Sequence, residues 1–76
     1  MKRTLFSHTF GAFFIALKRN IDAAVFVTKQ GKEYLVEFRT NKAFHCLRLS
    51  GLVDYELFIR RMDKIQKPYF KVGFDG

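Results

Sequence analysis

Residues 33–40 read Glu33-Tyr34-Leu35-Val36-Glu37-Phe38-Arg39-Thr40. Tyr34, Val36 and Phe38 alternate with Glu33, Leu35, Glu37 and Arg39, the period-two signature of a strand with one buried face. Upstream, Lys29-Gln30-Gly31-Lys32 reads as a turn, with Gly31 free to take positive φ. It follows an apolar, partly β-branched run from Ala23 to Thr28, a second strand. Downstream, Asn41-Lys42 is another turn and Ala43 to Ser50 a third strand. Both loops have even length, so the inward parity carries across the meander. In that register Val25 opposes Val36, and Val36 opposes Leu47. Phe26 then neighbours Leu35, Leu35 neighbours Arg48, and Arg39 neighbours Phe44. One face collects Ala23, Val25, Val27, Tyr34, Val36, Phe38, His45, Leu47 and Leu49, and reads as core.

Helical periods flank the meander. Phe6, Phe10, Phe13, Phe14, Leu17 and Ile21 recur with the spacing of one helical face, predicting a helix over 8–20 capped by Ser7 or Thr9. Lys18 and Arg19 suit the negative end of its dipole. Leu52, Tyr55, Phe58, Ile59, Met62 and Ile65 line a second helix, started at Ser50 or Asp54 and ended by Gln66-Lys67-Pro68. Glu56 with Arg60, and Asp63 with Lys67, stand at i,i+4. Tyr69 to Phe74 reads as a closing strand, with Phe70, Val72 and Phe74 on one side. The expected fold is α+β: a two-layer sandwich of two helices on a three- to four-stranded, mainly antiparallel sheet, order α-β-β-β-α-(β). One compact domain spanning 1–76 is expected, because the chain is shorter than the ~100 residues at which domains split.

Composition narrows the chemistry. Fourteen Lys and Arg against seven Asp and Glu give 14 − 7 = +7. Residues 1–38 hold six basic and three acidic groups, and residues 39–76 hold eight and four, so the charge is not a tail. Aromatics are 17% of the chain, including ten Phe, too many for a disordered basic segment. About eight of the Phe have a core position under these periods, which leaves Phe26 and Phe44 without one. A single Cys forms no internal disulfide, which favours a reducing, cytoplasmic setting. The uncharged run from Thr4 to Leu17 is shorter than the ~20 residues that span a bilayer. No small-x-small cleavage site follows it closely, so a retained, folded element and no integral membrane association are expected.

No catalytic, metal or cofactor constellation emerges, and a non-enzymatic role without cofactor is expected. His45 and Cys46 are adjacent in a strand and point to opposite faces, so they form no Cys–His dyad. Asp22 with Glu37-Phe38-Arg39 is only faintly similar to the acidic residue and E-x-K strand of a restriction-type nuclease core; Arg replaces the Lys. The helix-strand-strand-strand-helix order is that of the double-stranded-RNA-binding domain. Ser50 to Tyr55 offers Asp54 and no Lys or Arg where that family has a basic cluster, so the family is not assigned.

The sheet face away from the core carries Phe26, Leu35, Phe44, Cys46, Glu37, Arg39 and Arg48. Rings beside guanidinium groups stack bases and neutralise phosphates, so Phe26, Phe44, Arg39 and Arg48 are candidate binding residues. Cover by the final strand or by a dimer partner is the competing reading. Lys29, Lys32 and Lys42 in turns, with Arg60, Arg61 and Lys64 on the second helix, complete the basic candidates. A net +7 on 9.0 kDa favours an anionic partner, either nucleic acid or an acidic protein or nucleoprotein surface. Two functions follow as expectations: nucleic-acid binding, or a protein-interaction inhibitor of phage or mobile-element type that blocks a polymerase, nuclease or CRISPR effector. Membrane-surface binding through the first helix is the third, and an enzyme a distant fourth.

Overall fold

The computed structural model describes residues 3–73. Its elements are β1 (Thr4–His8), α1 (Phe10–Arg19), β2 (Val25–Gln30), β3 (Glu33–Arg39), β4 (Ala43–Leu49), α2 (Leu52–Ile65) and β5 (Tyr69–Val72). The strands form one sheet in the order β1-β4-β3-β2-β5. β3 runs antiparallel between β2 and β4, whereas β1 pairs parallel with β4 and β5 parallel with β2. The α+β class and the two helices agree with expectation. The sheet is five-stranded and mixed, wider than the three- to four-stranded, mainly antiparallel sheet expected.

The topology explains why one face stays bare. β1-α1-β2 and β4-α2-β5 are both parallel crossovers, and each skips two strands in the same direction across the sheet. Such crossovers are right-handed in nearly all proteins, so the same hand lays both helices on the same face. Phe13, Phe14 and Leu17 of α1 and Phe58 and Met62 of α2 share one buried cluster with Val25, Val27, Val36, Phe38, Leu47 and Leu49. Phe13 meets Phe38 edge-on at 5.4 Å, and Phe14 packs on Phe58 at 5.9 Å, so the helices touch each other and the sheet at one centre.

β1 corrects the reading of the N-terminal segment. The step from Phe6 to Phe10 fits a helix, but Thr9 caps the helix and accepts from the Ala12 amide at 3.4 Å. Residues before the cap belong to another element, and Thr4–His8 pairs along β4. Phe6 therefore sits on an edge strand, 45% exposed, and Ile21 lies beyond α1, 75% exposed. Phe70 is also half out of the core at 51%, so fewer Phe are buried than the periods implied. Phe74, expected beside Phe70 and Val72, lies outside the described residues.

The first turn is also tighter than expected. β2 continues through Lys29 and Gln30, which pair with Tyr34 and Glu33, leaving Gly31-Lys32 as the loop. Gly31 has φ 64° at the first loop position, the conformation a type II′ hairpin demands. Val27, not Val25, therefore opposes Val36, and Phe26 neighbours Glu37, not Leu35. Two residues and four are both even, so every side chain stays on its expected face. The pairings of Val36 with Leu47, Leu35 with Arg48 and Arg39 with Phe44 are as expected.

α2 starts after Gly51, and the Ser50 hydroxyl donates to Asp54 Oδ2 at 2.8 Å. Leu52, expected on the core face, is exposed in this first turn. The helix ends at Gln66, whose φ of 55° is left-handed. The expected Glu56–Arg60 and Asp63–Lys67 pairs do not close among the described residues; the Lys67 ammonium donates to the Ile21 carbonyl. No helix among the described residues is long and apolar enough to cross a membrane.

Candidate functional site: the uncovered sheet face

Three rows of side chains cross the face that neither helix covers. The register places Leu5, Phe44 and Arg39 in the first row. Ser7, Cys46, Glu37, Phe26 and Phe70 form the second. Arg48, Leu35, Thr28 and Val72 form the third. β5 extends the sheet sideways beyond β2, so the closing strand does not cover this face.

The aromatic positions are semi-exposed and supported from below by the sheet. Phe26 and Phe44 are half-buried, and Phe26 packs on Phe70 with centroids 5.7 Å apart. The Arg3 guanidinium lies 5.2 Å from the Phe44 ring centroid, a cation–π contact that fixes a positive charge beside an aromatic surface. Arg48 and Glu33 approach at 4.0 Å as an exposed ion pair. Arg3, Arg39 and Arg48 face Glu33 and Glu37 on this surface, so it is aromatic and only mildly basic.

The sequence-derived candidates separate into groups. Phe26, Phe44, Arg39 and Arg48 come together on the bare face. Lys32 and Lys42 stand in turns at opposite ends of the sheet, and Lys29 turns to the helix side, its ammonium 6.0 Å from the Tyr34 ring centroid. Arg60, Arg61 and Lys64 belong to the helix layer, where they line a shallow hollow with Phe10 and Leu57. There Arg61 lies over the Phe14 ring at 5.5 Å. Arg3 and Leu5 were missed because β1 was missed, and Thr4-Leu5-Phe6-Ser7-His8 carries no strict alternation that marks a strand.

On the helix side, burial raises the Tyr55 and Tyr69 phenols above their usual range. Tyr34 stacks on Tyr55 at 4.2 Å. No group of three or more His, Cys, Asp or Glu able to hold a metal occurs among the described residues. His45 and Cys46 lie on opposite faces, as adjacent strand residues must.

No protein-family model matches the chain, and no curated protein matches its sequence.

Proposed function

We propose that this protein is a non-enzymatic binding module that takes single-stranded nucleic acid on the uncovered sheet face. One observation carries the reading: Phe26, Phe44 and Phe70 stand on an unroofed sheet with Arg3, Arg39 and Arg48 on the same surface. Unpaired bases stack on such rings, and guanidinium groups beside them take the phosphates. Rings standing on an open sheet need unstacked base faces, which a paired duplex does not offer, and this favours single strands. The net +7 steers any polyanion toward the molecule.

The second reading is a protein partner, bound by the same face in the manner of a small inhibitor. Leu5, Leu35 and Val72 favour it, because aliphatic side chains add nothing to base stacking. Glu37 in the central row favours it too, because a carboxylate repels phosphate.

Fluorescence anisotropy with labelled single-stranded RNA and DNA, titrated at several salt concentrations, separates the two readings. Nucleic-acid binding is expected to weaken with salt at a log–log slope of about −2, from three phosphate contacts at ~0.7 each. No binding at low salt removes the first reading and leaves the protein partner, to be sought among proteins that stay bound after nuclease treatment.

A further inference from the structure

His8 and His45 meet on the helix side of the β1–β4 edge. Nε2 of His8 lies 2.8 Å from Nδ1 of His45, with the ring planes only 4° apart. His45 is flanked by its strand neighbours, Phe38 at 4.5 Å and Phe6 at 5.3 Å between centroids. Phe13 of α1 meets His8 edge-on at 6.3 Å. β1 and β4 bring the two imidazoles, while β3 and α1 bring phenyl carbon. His8 is the charged group acting on His45, and no charge from α2 contributes.

A nitrogen–nitrogen contact of this length needs one N–H donor and one bare acceptor, so at least one ring is neutral. Once both rings are protonated, both nitrogens are donors and both rings are cations. The contact then becomes repulsive. β1 has little else on its helix side: Thr4 to Ser7 are exposed and only His8 is half-buried. Its other ties are the ring contacts of Phe6 with His45 and of His8 with Phe13, and the parallel ladder to β4, with the Thr4 amide donating to the Lys42 carbonyl at 3.0 Å.

We propose that the His8–His45 contact is a latch released by protons, holding β1 against β4 and with it the Arg3 and Leu5 side chains on the bare sheet face. The latch itself stands on geometry alone; its effect on ligand binding rests on the function proposed above. Burial, then the charge of His8, lowers the His45 pKa from its usual 6.5. The folded state therefore holds fewer protons than the unfolded chain. The stabilisation is fully present above the unfolded value and is lost as pH falls toward the lowered folded one.

The test is amide hydrogen exchange followed by NMR on the full chain, corrected for intrinsic rates, at about pH 7.5 and about pH 5. Protection of the β1 amides relative to those of β3 is expected to fall several-fold at the lower pH. In His8→Gln, whose amide does not titrate, that loss is expected to shrink to the part that burial of His45 alone causes. Unchanged β1 protection in the wild type, or the full loss persisting in H8Q, overturns the proposal. Ring nitrogen spectra of the wild type give a readout that needs no variant. They should show a bare acceptor nitrogen at neutral pH that gains its proton as β1 opens; titration uncoupled from β1 also overturns the latch. If β1 opens with acid while no oligonucleotide binds at any pH, the binding reading fails and the latch stands.

Discussion

Successive residues of the same strands build the two faces of the sheet, and the faces live in different environments. Along β3, Tyr34, Val36 and Phe38 are buried, while Leu35 and Glu37 between them are only half-covered. Along β2, Val25 and Val27 are fully enclosed and Phe26 between them is not. On the covered side two helices supply matching apolar surface, and rings interlock around Phe13, Phe14, Phe38 and Phe58. The other side is also rich in apolar groups, yet no described element packs over it. Leu5 is 68% exposed there, next to the half-buried Phe44. Apolar burial on the first face holds the fold together. Apolar exposure on the second contributes nothing comparable to folding, and this is the surface on which the proposed binding rests.

The sharpest way to break this contrast is to truncate one ring on each face. Phe58→Ala removes a fully buried ring that α1, α2 and β5 share, and is expected to cost ~3–5 kcal/mol by urea unfolding. For so small a domain that is most of the available stability, and the variant should be largely unfolded near body temperature. Phe26→Ala and Phe44→Ala are expected to cost less than ~1.5 kcal/mol of stability, because their rings keep solvent contact. Each should instead weaken single-strand binding by ~1–3 kcal/mol, as truncation of a base-stacking ring does. Equal stability losses on both faces would erase the distinction.

Smaller effects sharpen it. Thr9→Ala removes the side-chain cap of α1 and should lower stability by ~0.5–1 kcal/mol, the low end for a cap because the bond is 3.4 Å long. Oligonucleotide affinity should be unchanged in the same variant. Arg48→Ala breaks only an exposed pair with Glu33 and should change unfolding by less than ~0.5 kcal/mol. Its salt slope for nucleic-acid binding should become shallower by ~0.7, the loss of one phosphate contact.

The meander was legible because alternation and even loops are local features. The two-residue error at Gly31-Lys32 moved partners along the strand but not across the sheet, so Phe26, Phe44, Arg39 and Arg48 were placed on the correct face by parity alone. β1 was not legible, because Phe6 and Phe10 stand four apart and satisfy a helical period as well as a strand. Its parallel pairing with β4 joins segments more than thirty residues apart, and no local period marks it. Arg3 and Leu5 were lost with it, as was the meeting of His8 and His45. The distribution of charge was also hidden. Arg60, Arg61 and Lys64 look like natural companions of Arg39 and Arg48 in a list, but the fold puts them on the opposite layer.

The most direct measurement is amide chemical-shift mapping of the labelled protein titrated with a short single-stranded oligonucleotide at low salt. Shifts are expected on β2, β4 and β5 around Phe26, Phe44 and Phe70, with the amides of Arg60, Arg61 and Lys64 nearly still. Shifts centred on α2, or none anywhere, would contradict the assignment of function to the uncovered face.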